Sequence, residues 1–217
     1  MVRTTRSSAN LLDALERREF NELLGTDEDG FVEAKGVPCQ IGAADKSKQD
    51  FAKHELAKDV SALANVHGGV ILIGFQTGID PMAAGEFIES CRSFERSLVN
   101  VDQYAKLLED WICPPVPGLA IRWFPSSEDS GRGVIAIVVP PEATTGKPYL
   151  VTRTVDSGGR VNGTLFGFFE RLGDHATPTS VEMLRGQLRA GIHLQPLHDR
   201  LEVVEDTLGT ITAAVAS

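Results

Sequence analysis

Residues His54 to Gly74 constrain the fold more than any other stretch, because they read as an amphipathic helix, a glycine stop and a buried strand in direct succession. Leu56, Ala57, Val60, Leu63 and Ala64 recur at spacings of three and four, which predicts one core-facing stripe. Lys53, Lys58, Asp59 and Ser61 are expected on the opposite, wet face. Gly68 and Gly69 follow the last periodic residues, where a left-handed cap favours a residue without a Cβ. Val70-Ile71-Leu72-Ile73 is too short for a helix and rich in β-branched residues, so it predicts a strand covered on both faces. The helix must then pack directly on that strand.

The rest of the chain supplies elements around this pair. Ser8 to Leu24 predicts a helix closed by Gly25, and Phe31 to Ala34 a short strand. Gln76 to Gly85 reads as loop, followed by two helices over Glu86 to Leu98 and Val101 to Ile112. The second is stopped by Pro114, Pro115 and Pro117, because proline excludes the helical conformation before it. Leu119 to Phe124 and Val134 to Val139 predict an antiparallel hairpin. Tyr149 to Thr154 and Leu165 to Arg171 read as further extended pieces, and Thr179 or Ser180 as the cap of a helix over Val181 to Ala190. Leu201, Val204, Leu208, Ile211 and Val215 mark a last helix suited to packing or dimerisation. Strands and helices without clean βαβ alternation predict an α+β fold, a mixed β-sheet packed with helices. The expected partition is an N-terminal helical extension over 1–25, a core domain over 26–190 and a C-terminal helical tail over 191–217.

A chain of 217 residues, 42% hydrophobic and 24% charged, can bury one good core. No run of about 18 apolar residues is present to span a bilayer, and the basic start leads into no apolar signal region. A cytoplasmic protein without membrane association is therefore expected. Cys39, Cys91 and Cys113 are far apart and unpaired in spacing, so reduced thiols are expected and no zinc motif is present. The net charge of −9 opposes phosphate binding in general, yet Lys46, Lys48, Lys53 and Lys58 outnumber the acids near the start of the signature helix.

The block Leu-Ala-Lys-Asp-Val-Ser-Ala-Leu-Ala-Asn followed by Gly-Gly-Val-Ile-Leu-Ile-Gly resembles the Schlafen AlbA_2 family of nucleic-acid-binding domains. Val32-Glu33-Ala34-Lys35 resembles that family's Glu-x-Lys strand. Pro114-Pro115-Val116, Gly146-Lys147-Pro148-Tyr149 and Phe169-Glu170-Arg171-Leu172-Gly173-Asp174 resemble its later landmarks, in order. The resemblance covers about Asp27 to Arg189. It implies a single lobe of the Schlafen core that contacts the phosphate backbone of DNA or RNA, as a regulator or a defence component. It also implies that Lys147, Arg153, Arg160 and Arg171 lie near one face. Schlafen cores place two such lobes in one chain, so a single lobe is expected to homodimerise, with the C-terminal helix as the contact.

Phosphate contacts are accordingly expected at Lys35, Lys53, Lys58, Lys147, Arg153, Arg160 and Arg171. Glu28 and Glu33 form the most informative acidic pair, since two carboxylates brought together hold a hard divalent cation for phosphodiester cleavage. Schlafen nucleases are similar here, with a glutamate pair and an aspartate just after the Gly-Gly strand. In this chain Phe75-Gln76-Thr77 follows Gly74, and the next carboxylate is Asp80. Binding is therefore the first expectation, with no cofactor required. A metal-dependent ribonuclease using Glu28, Glu33 and Mg or Mn is the alternative, and a homodimeric interaction module the third. For stacking on bases, Phe168 is expected to be the outward member of the Phe166, Phe168 and Phe169 group.

Overall fold

The computed structural model describes residues 4–39, 41–42, 44–79, 85–141, 146–155, 161–162, 166–180 and 182–189. Arg160, Asp80 and the 191–217 tail lie outside the described residues.

The signature block forms helix α2 (Lys46–Asn65) and strand β2 (Gly69–Ile73). Asp45 starts α2 by accepting from the amides of Ser47 and Lys48, two of the donors a helix start leaves unbonded. Gly68 and Gly69 have φ of 71° and 155°. A Cβ on either would run into backbone, that of Val139 and Pro140 at Gly68 and of Phe31 at Gly69. Only glycine makes this turn while keeping the helix tight on the sheet.

Strand β1 (Val32–Lys35) runs parallel to β2, pairing Val32 with Val70 and Lys35 with Ile73. On the other side β2 pairs antiparallel with β8 (Arg132–Val139), which forms the expected hairpin with β7 (Ala120–Pro125). The short β5 (Phe94–Glu95) pairs with β8 at Gly133 and Arg132, completing a five-stranded mixed sheet. Period-two alternation divides its side chains. Val70, Leu72, Val134 and Ala136 pack with Leu11, Leu15, Phe20 and Leu23 from helix α1 (Ser8–Glu16) and the 3-10 turn after it. Ile71, Ile73, Ile135 and Ile137 pack with Leu56, Val60 and Leu63 of α2, joined by Tyr104, Leu108 and Trp111 of α3 (Val101–Trp111). Helix, sheet and helix make the α+β core that the sequence predicts.

Three expectations change. The N-terminal helix stops at Glu16, because Arg18 adopts a φ of 61° and the chain resumes as the 3-10 turn Phe20–Leu23. Residues 76–79, read as loop, belong to β3 (Phe75–Ile79), and the helix read over Glu86 to Leu98 is instead β4 (Glu86–Cys91), then β5 and a 3-10 turn. Burial decides this: Phe75 and Ile88 enter the α1 cluster, with Phe75 edge-on to Phe20 at 6.2 Å between ring centroids. Packing of that kind overrides a local helical period.

The third change concerns the wet face of α2. Short ladders cover it, formed by β9 (Leu150–Val151) with β6 (Ile112–Cys113), β10 (Thr154–Val155) with β11 (Val161–Asn162), and β12 (Phe169–Leu172) with β13 (His175–Pro178). α2 therefore touches β2 and β8 on one side and β9, β10, β12 and β13 on another. Apart from the half-buried Lys58, its second half is buried, including Asp59, Ser61 and Asn65. A fourth helix among the described residues, α4, spans 182–189, with Ser180 accepting from the amide of Met183 as its cap. Among the described residues no helix is long and apolar enough to cross a membrane.

Candidate nucleic-acid interface

The alternation of β1 sends Val32 and Ala34 into the α1 cluster and Glu33 and Lys35 to the α2 face. There they meet Asp59 of α2 and Arg171 of β12. The Lys35 ammonium lies 2.6 Å from Asp59 and donates to Glu33 at 3.0 Å, while the second oxygen of Glu33 is held by the Arg171 guanidinium. Lys58 donates to Glu55 at 2.5 Å and stands 3.9 Å from Asp59. Burial alone would make Lys35 more acidic. The charges of Asp59 and Glu33 outweigh it and hold the ammonium above its ordinary range.

The outer edge of β1 pairs with side chains rather than with another strand. Asp29 accepts from the amide of Val32 at 3.0 Å, and Glu28 accepts from that of Ala34 at 2.5 Å. Arg171 donates to the Val32 carbonyl at 3.0 Å and to that of Asp29 at 3.1 Å. These bonds close an edge that would otherwise template strand addition. They also correct the expectation for Arg171. It is 5% exposed, with its guanidinium turned inward, so a phosphate would have to displace Glu33 and two carbonyls to reach it.

Glu28 is the perturbed acid of this cluster. Burial, and then the charge of Glu33, push its carboxyl up to about 8, against the opposing pull of the Ala34 amide and Arg171. The unfolded chain binds this proton less tightly, near 4.5. The group's contribution to stability is therefore complete below that value and is lost as pH rises through the folded pKa. Glu28→Gln keeps the acceptor for Ala34 and removes the titration. Thermal melts from about pH 5 to about pH 9 should show the variant gaining on the unsubstituted protein as pH rises. Parallel pH profiles would contradict the assignment.

The carboxylates expected to bind a metal do not form a metal site. Among the described residues no group of three or more His, Cys, Asp or Glu side chains is placed to hold one. Glu33 and Asp59 do converge, but on the Lys35 ammonium, and Glu28 turns its oxygen to a backbone amide. The residues as placed therefore do not fit a divalent cation.

The remaining cations divide clearly. Lys147 donates to the carbonyl of Val66 at the end of α2, which fixes it at the glycine turn. Lys53 stands 3.8 Å from the buried Asp50. Lys46 and Lys48 are exposed and carry no ion pair among the described residues. Arg153 is exposed, its guanidinium 5.5 Å from the centroid of the Trp111 ring and its carbonyl against His54 Nδ1 at 3.3 Å. The His54 contact sets Arg153 beside the middle of α2, while Lys46, Lys48 and Lys53 surround its first turns. The carboxylates nearby are committed, with Asp45 capping the helix, Asp50 buried and Glu55 bound to Lys58.

Aromatic expectations shift as well. Phe168 is buried, whereas Phe166 is 58% exposed. Sequence reasoning missed Phe51, which is 55% exposed on α2. The available signal was its helical phase: it falls three residues from Lys48 and seven from Lys58, off the Leu56-Val60-Leu63 stripe.

No protein-family model matches the chain, and no curated protein matches it. Among solved structures, the crystal structure of the DIP2311 protein from Corynebacterium diphtheriae aligns with 84% of this chain at 18% identity and a TM-score of 0.42. The chain spans only 29% of that protein. The solution NMR structure of the N-terminal domain of an ATP-dependent DNA helicase RecG-related protein from Nitrosomonas europaea aligns with 66% of this chain. That alignment covers 79% of the domain, at 21% identity and a TM-score of 0.37.

Proposed function

We propose that this chain is a nucleic-acid-binding module of the Schlafen AlbA_2 kind, contacting the phosphate backbone through the amino-terminal half of α2 and the segment around Arg153. The observation that carries the reading is the local charge balance on that surface. Lys46, Lys48, Lys53 and Arg153 present cations where every nearby carboxylate of α2 is capping, buried or paired. A net charge of −9 does not oppose this, since potential at a surface follows the charges around it. The helix, Gly-Gly and strand signature supports the same reading from the sequence side. Lys35 and Arg171 organise the scaffold behind the surface.

Fluorescence anisotropy with labelled DNA and RNA across a salt series tests this. Binding should weaken steeply with salt, and replacing Lys46, Lys48, Lys53 and Arg153 together by alanine should reduce the log–log slope by about 3. Binding without salt dependence, or full affinity in that variant, would overturn the reading. Adding Mn or Mg to the same mixtures checks the alternative of cleavage. Cut product that disappears in Glu33→Ala would overturn the assignment of Glu33 as a purely structural ion-pair partner.

A further inference from the structure

We propose that the exposed first turns of α2, around Lys48 and Phe51, are a stacking platform for single-stranded nucleic acid, with Phe51 as the ring that takes a base. The inference rests on the phosphate-binding reading above and adds to it which form of nucleic acid is preferred.

Lys48 and Phe51 are three residues apart and both exposed, so they stand side by side on one face of the helix, with His54 the next residue along it. At 1.5 Å per residue the stretch from Lys48 to His54 is about 9 Å long. The rings of Trp111 and Phe169 are buried, and His54 meets Phe169 edge-on at 6.0 Å. Phe51 is the aromatic of this helix left in water, with the exposed Lys48 one turn before it. The carboxylate of Glu55, next in sequence to His54, is already engaged by Lys58. Arg153 extends the positive surface through its contact at His54.

An exposed ring beside cations suits a strand whose bases are free. In a duplex the faces of the bases are covered by their neighbours and only edges reach the grooves. A ring standing on a helix surface cannot reach those faces. Unpaired bases offer them, and stacking on an aromatic side chain accepts any base. The platform is therefore predicted to favour single strands without strong sequence preference.

The test compares oligo(dT), oligo(rU) and a DNA duplex of equal length, at one low salt concentration, using the full chain. Phe51→Ala should weaken single-strand binding about 5- to 100-fold and leave duplex binding within about twofold. Phe51→Trp should retain single-strand affinity and show quenching on binding beyond that of the unsubstituted protein, which reports stacking directly. Equal losses for single strands and duplex, no loss, or no added quenching would overturn the platform. If Phe51→Ala is neutral while the four-cation variant loses binding, stacking fails and phosphate contact stands. If the four-cation variant binds fully, the phosphate reading itself fails. The dT and rU arms separate DNA from RNA as the strand preferred.

Discussion

Arg171→Met should lower folding stability by about 3–5 kcal/mol, the usual cost of removing one partner from a buried ion pair. The guanidinium does three things at once: it neutralises Glu33 and donates to the carbonyls of Val32 and Asp29. Methionine fills much of the space and supplies none of this, so Glu33 keeps only Lys35 and the edge of β1 loses two donors. Folded domains have about 5–15 kcal/mol in hand, so the loss is a large part of the total. Urea midpoints would show it directly. Arg171→Lys should fall between the two, because a single ammonium cannot reproduce the planar fork. At low temperature, where Arg171→Lys remains folded, nucleic-acid affinity should be unchanged. A loss below about 1 kcal/mol in Arg171→Met would show that the cluster matters little.

The second large effect is expected at Asn65. Its side chain accepts from the Tyr149 amide at 2.7 Å and donates to the carbonyls of Tyr149 at 2.9 Å and Phe169 at 2.8 Å. One buried amide thereby ties α2 to both late segments that cover it. Asn65→Leu matches its size but takes a partner from each of these backbone groups. Each buried group so stripped costs about 1–3 kcal/mol, and Ser61 still serves the Tyr149 carbonyl at 2.7 Å. A total of about 2–4 kcal/mol is expected in denaturant melts. Asn65→Asp should not rescue, since a carboxylate accepts from the Tyr149 amide but offers no donor and places a charge in the core. A neutral Asn65→Leu would mean that apolar packing alone seats the late ladders.

How much of this was legible in the sequence depends on the range over which each feature is decided. The α2, Gly-Gly and β2 block, helix α3 and the β7–β8 hairpin are written in local period and turn chemistry, and all are present. β4 was not legible, because the pull of Ile88 into the α1 cluster comes from residues far away in the chain. Asp59 and Ser61 have the helical phase of exposed residues. They are buried because β9, β10, β12 and β13 lay a second layer over α2, and no local pattern announces that cover. Arg171 shows the same limit: its carboxylate partner lies 138 positions earlier. Asn65 shows it too, since its partners are backbone groups of Tyr149 and Phe169, 84 and 104 positions later.

The site divides along the same line. Basic residues around the start of α2 could be counted from sequence, and the structure adds which of them are already committed. Lys35, Lys58 and Lys147 each hold a protein partner, while Lys46 and Lys48 do not among the described residues. The proposed phosphate contacts thereby move toward the first turns of α2, ahead of the signature block itself.

Lysine acylation read residue by residue by mass spectrometry, with and without saturating single-stranded DNA, tests that placement most directly. Lys46, Lys48 and Lys53 should be protected together by the nucleic acid, while Lys106 on α3 keeps its reactivity. Protection absent from all three, or concentrated on Lys106, would contradict the account.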